Sequence, residues 1–254
     1  MRTMITRLGF AALRAGIAPP AQRLVTRYQE QWAFKRLLER LRVTLLLDVG
    51  ANDGSWAQSV RLMGYKGRIA SFEPNPTEYE NIRSRAAGDP DWTAECCALG
   101  SAEGTLSLNV IDSNSVFSSL LTPTKTPPVS KVVPVPVHRL DGTWDRFVGN
   151  NDRVFLKTDT QGFDLHVLQG AGDRLKDVVG LQTELNVVKL YKDSPHYLSV
   201  LEFLESNGFE VTELRPLHHT KEGFILEFDC FAARASALAT AAGARDPVSA
   251  SLDA

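Results

Sequence analysis

Short apolar runs alternate with amphipathic stretches along the chain, and that alternation predicts strands and helices in turn. Leu45-Leu46-Leu47-Asp48-Val49 has strand length and suits burial on both faces. It breaks at Gly50, and residues 55–63 then read as a helix closed by Gly64. Residues 68–72 form a second strand that ends in Glu73. Asn75-Pro76-Thr77-Glu78 starts a helix: Asn75 caps it, Pro76 fits the first turn and Glu78 completes a capping box. Residues 93–99 read as a third strand and 105–110 as another. Residues 132–137 alternate with prolines, which predicts an edge strand at best. A short helix over 140–147 precedes a buried strand over 154–159. Thr160-Gln161-Gly162 turns the chain into a helix that Gly170 closes. A strand over 178–184, a helix from Ser194 to Asn207 stopped by Gly208, and strands over 209–214 and 224–232 complete the pattern. The short turn at Lys221-Glu222-Gly223 pairs the last two as a hairpin.

The ends of the chain differ from this body. Residues 1–41 read as two helical pieces split by Pro19-Pro20, with Trp32, Phe34, Leu37, Leu38 and Leu41 as a packing stripe. Arg7 and Arg14 interrupt the first piece, which is too short and too charged to span a bilayer. From Ala235 the chain is rich in Ala and Ser, lacks an apolar face, and is expected to be structureless. The expected organisation is a basic helical extension over 1–44, one domain over 45–234 and a tail over 235–254.

The 254 residues suffice for one α/β domain with additions. Cys96, Cys97 and Cys230 fit neither a zinc spacing nor a disulfide framework, so they read as reduced thiols in strands of a cytoplasmic protein. The net charge is −2, with residues 1–42 carrying +7 and the rest −9. An acidic body excludes a broadly basic nucleic-acid binder. The basic extension would bring the chain to the inner face of an anionic membrane if its arginines are exposed.

Alternating strands and helices imply a parallel sheet whose ligands sit beyond the carboxyl ends of the strands. Asp48, Glu73, Asp159 and Glu184 all fall at or near those ends. Glu73 follows Asp48 by 25 residues, the placement of an acid that binds ribose hydroxyls. Such a turn and acid also fit a nicotinamide-dependent oxidoreductase, but Gly50 and Gly54 do not make the dinucleotide glycine spacing. A cofactor-binding module without catalysis is the third reading. Residues 112–131 form a long polar loop around Phe117, Leu120 and Leu121, and residues 113–119 would form a lid.

Asp48-Val49-Gly50-Ala51-Asn52-Asp53-Gly54 resembles the first motif of class I S-adenosylmethionine-dependent methyltransferases. The stretch from Lys157-Thr158-Asp159-Thr160-Gln161-Gly162 through Leu168-Gln169-Gly170-Ala171 resembles the signature of the FkbM methyltransferases. Gln182-Thr183-Glu184 and Leu190-Tyr191 fit the same family in the same order, while Asp164 stands where it more often has Glu. The resemblance implies a Rossmann-like α/β sandwich: a mostly parallel seven-stranded sheet, a C-terminal antiparallel hairpin and helices on both faces. It also implies O-methylation of a sugar, glycolipid or natural-product hydroxyl. Asp48, Gly50, Ala51, Asn52, Gly54, Glu73, Pro74, Ala98 and Leu99 would then hold S-adenosylmethionine. Asp48 would hold the loop or reach the cofactor's ammonium group. Asp159 is the first choice of general base and Glu184 the second, unless the two hold a divalent metal such as Mg²⁺. In a purely structural role, Asp159 would cap the turn after it. Lys157 would pair with a nearby acid. His138 would overhang the site and His196 would lie near an acceptor pocket, while His166 would be structural and His218-His219 solvated.

Overall fold

The computed structural model describes residues 22–242. The first helical piece expected in the sequence, its Pro19-Pro20 break and the last twelve residues lie outside them. Helix α1 (Gln22–Arg40) carries the described part of the N-terminal segment. The chain divides into two compact units, Met1–Leu37 and Leu38–Ala254. Within the first, the Arg36 guanidinium lies 5.7 Å from the Trp32 ring. Among the described residues no helix is long and apolar enough to cross a membrane.

The second unit begins with β1 (Leu45–Val49), α2 (Ser55–Leu62), β2 (Arg68–Phe72), α3 (Pro76–Ala86), β3 (Trp92–Glu95) and β4 (Ala98–Leu99). It continues through β5 (Gly104–Val110), β6 (Lys131–His138), α4 (Leu140–Phe147), β7 (Val154–Thr158), α5 (Asp164–Gly170) and β8 (Val178–Asn186). Helix α6 (Tyr197–Ser206), the hairpin β9 (Phe209–His219) and β10 (Ile225–Arg234), and α7 (Ala235–Ala242) finish it. Seven strands form one sheet in the order β3-β2-β1-β7-β8-β10-β9. β3, β2, β1, β7 and β8 run parallel, and β10 is antiparallel to both β8 and β9. This is the α/β sheet with a terminal hairpin that the sequence predicts. Alternate residues of β1, β7, β8 and β10 (Leu47, Leu156, Leu185, Cys230) pack against Trp144 of α4, Val167 of α5 and Leu204 of α6 in one apolar core. Helix α2 takes the other face, where the Lys157 ammonium lies 5.6 Å from the Trp56 ring.

Arg234 clasps the last strand in place. Its guanidinium donates to the carbonyls of Leu175 (2.6 Å), Val178 (2.9 Å) and Asn207 (2.8 Å).

Four expectations need correction. The strand over 93–99 is two strands in two sheets, because the chain leaves the large sheet at Cys96-Cys97 and β4 pairs with β6 instead. Strand β6 is the middle strand of a three-stranded sheet, not an edge. Its Pro134 and Pro136 nonetheless pair only with β5, since β4 reaches β6 only at Val137 and His138. A proline with an open flank on one side leaves no ladder bond unmade. The tail is helical over Ala235–Ala242. The capping box of α3 is half formed: Asn75 Oδ1 accepts from Thr77 N (3.1 Å), but the Asn75 N–H goes to Glu73 and not to Glu78.

Candidate active site

At the carboxyl end of β1 the backbone turns through left-handed conformations at Gly50, Asn52 and Gly54. A Cβ on Gly50 would stand 2.0 Å from the Asp159 carbonyl oxygen, so the loops after β1 and β7 meet backbone to backbone. Only glycine fits that approach. Glu73 ties the turn to the end of β2. Its Oε2 accepts from Asn52 N (2.7 Å) and its Oε1 from Asn75 N (2.8 Å). The carboxyl is buried, and burial outweighs both amide bonds, raising its pKa to about 7.

Gly50, Asn52, Glu73, Pro74, Ala98 and Leu99 line one cavity of about 670 Å³, its open mouth included, together with Asp159. That size suits a small-molecule or cofactor site. The other three residues expected at the cofactor do not reach it. Asp48 is fully buried beneath the turn, 3.0 Å from Lys157 Nζ, and accepts from Ser71 Oγ at 3.2 Å. It holds the loop and does not face the cavity, because Lys157 also donates to the Gly50 carbonyl (2.9 Å). Burial opposes the Lys157 charge, but Asp48 and Asp159 beside it keep the ammonium protonated beyond its ordinary range. Ala51 is buried with its N–H on the Phe72 carbonyl. Gly54 opens α2 and packs toward Trp92 and Ile82.

A second cluster lies across the cavity, and a residue not singled out in the sequence organises it. Gln161 sits at φ +55°, a strained conformation for a side chain of its size. Its Nε2 donates to Asp159 Oδ1 and to Glu184 Oε2, both at 3.2 Å. Its Oε1 lies 2.9 Å from the donating Tyr191 hydroxyl, so amide orientation and partners agree. The Gln161 carbonyl accepts from Ser119 Oγ (2.9 Å), and the Tyr191 hydroxyl also lies 3.0 Å from the Phe117 carbonyl. The loop expected as a lid is thereby fastened, and its Ser115, Val116 and Leu120 line the cavity. Asn52 Nδ2 donates to Ser115 Oγ (3.1 Å) and fastens the other side.

The turn after β7 is capped by Asp164 and not by Asp159. Asp164 Oδ1 accepts from Thr160 N and Oδ2 from Gly162 N, both at 3.2 Å. Burial pushes the Asp164 carboxyl up to about 6. Asp159 keeps 40% of its side chain exposed and lies 3.5 Å from Lys157 Nζ. Glu184 is buried, does not line the cavity, and reaches it only through Gln161. Burial, reinforced by Asp159 and Asp164, holds its carboxyl well above the usual range.

No histidine lines this cavity. His138 faces away, bonded to Glu103 (2.8 Å), which corrects its expected place over the site. His196 caps α6 through Leu198 N, and His166 stacks on Phe163 at 4.3 Å. His218 is exposed yet bonded to Glu227 at 2.5 Å. Among the described residues no three His, Cys, Asp or Glu side chains are grouped to hold a metal ion, so the alternative in which Asp159 and Glu184 hold Mg²⁺ gains no support.

Residues 48–211, more than half of the chain, match the methyltransferase FkbM domain. The chain belongs to the FkbM methyltransferase family. No curated protein matches its sequence. Among solved structures, it is similar to the methyltransferase FkbM from Methylobacillus flagellatus KT, at 18% identity and a TM-score of 0.47. That alignment covers 74% of this chain but only 43% of the other. The precorrin-6y C5,15-methyltransferase from Geobacter metallireducens GS-15 aligns at 18% identity and a TM-score of 0.43, over 78% of this chain and 86% of the other. The FkbM match takes in both halves of the site, from the turn after β1 to the strand end at Glu184 and Tyr191.

Proposed function

We propose that this FkbM protein moves a methyl group from S-adenosylmethionine to a hydroxyl oxygen of a small acceptor, a sugar, glycolipid or natural product. The observation that carries the reading is Glu73. A buried carboxyl, held by two backbone amides at the end of β2, lines the same cavity as Gly50 and Asp159. Each of its oxygens keeps a lone pair for a ribose hydroxyl.

Bound there, S-adenosylmethionine supplies an electrophilic methyl group on a sulfonium sulfur. Glu73 would accept the ribose hydroxyls, while Gly50 and Asn52 bring the backbone close. Pro74, Ala98 and Leu99 give the adenine an apolar slot. Asp159 faces the opposite wall and takes the proton from the acceptor hydroxyl. Base catalysis of this kind is worth roughly 10²–10⁴-fold. Gln161 fixes the direction of Asp159, and alignment of the two reactants supplies further rate. Glu184 is the poorer candidate for the base, because it is buried and does not line the cavity.

Calorimetric titration with S-adenosylhomocysteine, alongside Glu73→Ala, tests the cofactor assignment. Micromolar binding that the substitution weakens supports it. A folded chain that ignores S-adenosylhomocysteine and binds NAD overturns it.

A further inference from the structure

The lid has a fixed root and a lightly held tip. Its root is Ser119, which bridges to Asn109 of β5 by backbone bonds in both directions (2.9 and 3.2 Å). Beyond it, Thr124 N donates to the Leu190 carbonyl (2.9 Å) and Lys192 N to the Thr122 carbonyl (2.8 Å). Those bonds tie the loop to the segment that carries Tyr191. The tip is the single turn Ser115–Phe117. Asn52 holds it through Ser115 on the cofactor side, and Tyr191 holds it through the Phe117 carbonyl on the other. Val116 between them lines the cavity and is 51% exposed. A segment with so little buried contact opens at low cost.

The Tyr191 clasp serves two masters. A phenol donates one hydrogen, and both groups in front of it accept. Gln161 Oε1 lies at 2.9 Å and the Phe117 carbonyl oxygen at 3.0 Å. Burial, with the acids around it, keeps the phenol protonated. The ring is buried and packs toward Gly162, so the oxygen stays in place and only its hydrogen turns. The two acceptors therefore compete. One belongs to the lid tip. The other belongs to the amide that holds Asp159, and that amide stands on a backbone at φ +55°. Strain of this kind persists only while the surroundings hold it.

We propose that Tyr191 is a positioning residue through which the lid tip governs Asp159. A seated tip draws the phenol hydrogen toward Phe117 and slackens the hold of Gln161. A lifted tip returns the hydrogen, so the carboxylate is held fast until the cavity is covered. The inference rests on the methyltransferase reading and adds a control on its base.

The test is a double-mutant cycle on the full chain, pairing Tyr191→Phe with Ser115→Ala, which loosens the tip from the far side of the cavity. Asp159 would be followed by the carbon-13 resonance of its carboxyl, assigned with Asp159→Asn, and the tip by hydrogen exchange over residues 113–119. Ser115→Ala should speed exchange of the tip about fivefold, the worth of one hydrogen bond, and move the Asp159 resonance. In the Tyr191→Phe background the same substitution should still speed exchange but leave that resonance where it is. A resonance that Ser115→Ala leaves unmoved when Tyr191 is present, or moves equally in both backgrounds, overturns the inference. Neither readout needs S-adenosylhomocysteine, so a chain that fails to bind it counts against the methyltransferase reading instead.

Discussion

The two halves of the carboxyl edge are built by different means. On the β1–β2 side, backbone makes the site: Glu73 receives two amide N–H groups, and Gly50 lets one loop touch another. On the β7–β8 side, side chains hold side chains: Gln161 joins two acids and a tyrosine, and Tyr191 reaches the lid. Backbone contacts tolerate a wide choice of side chains around them. A side-chain network depends on the identity of each of its members. The first half therefore depends on backbone geometry, and the second on the identity of each side chain.

The largest expected effect sits where the halves join. Lys157→Met leaves Asp48 buried without its cation and should destabilise the fold by about 3–5 kcal/mol in urea unfolding. Asp48→Asn combined with Lys157→Met should recover most of that loss. Gly50→Ala comes next, because the added methyl meets the Asp159 carbonyl. The left-handed φ alone costs roughly 1–2 kcal/mol, and S-adenosylhomocysteine affinity should fall at least as far as stability.

The pH response separates the halves further. The Glu73 carboxyl has a pKa raised by burial to about 7, so the folded chain holds its proton where the unfolded chain has lost it. Its contribution to folding therefore favours lower pH and is lost as pH rises through about 7. Ribose binding calls for the ionised form and runs the other way. S-adenosylhomocysteine should bind about tenfold more weakly at pH 6 than at pH 8, and Glu73→Gln should flatten that difference. The smallest effect is Tyr191→Phe. It removes one buried hydroxyl, costing about 1 kcal/mol, and should speed hydrogen exchange around Phe117 while leaving S-adenosylhomocysteine affinity within about twofold.

The same contrast decides what could be read in advance. The β1 turn is local: a leucine run, two glycines and an acid at the next strand end stand close in sequence, and the cavity gathers Gly50 and Glu73 from them. Asn75 before Pro76 announced its cap for the same reason. Gln161 was visible only as a turn residue, since its partners Glu184 and Tyr191 lie 23 and 30 positions away. Cys96-Cys97 carries no signal that the chain changes sheets there, because neither residue is a turn former. Pro134 and Pro136 correctly demanded an open flank, but a two-residue partner at the far end of β6 cannot be foreseen from prolines. Asp48 carried the motif and yet serves as a buried anchor, because the charge of Lys157 draws it under the turn.

The strand order sets a timetable for making the protein. Strand β10, last of the sheet in the chain, lies between β8 and β9, both made before it. A nascent chain halted short of Arg234 presents β8 with a bare edge and Glu184 with no Asp229 across from it. The β1–β2 side of the sheet can pair before β10 is made, while β8 keeps an open edge until then. Arg234, reaching back to Leu175, Val178 and Asn207, is then the latch that closes once β10 has paired.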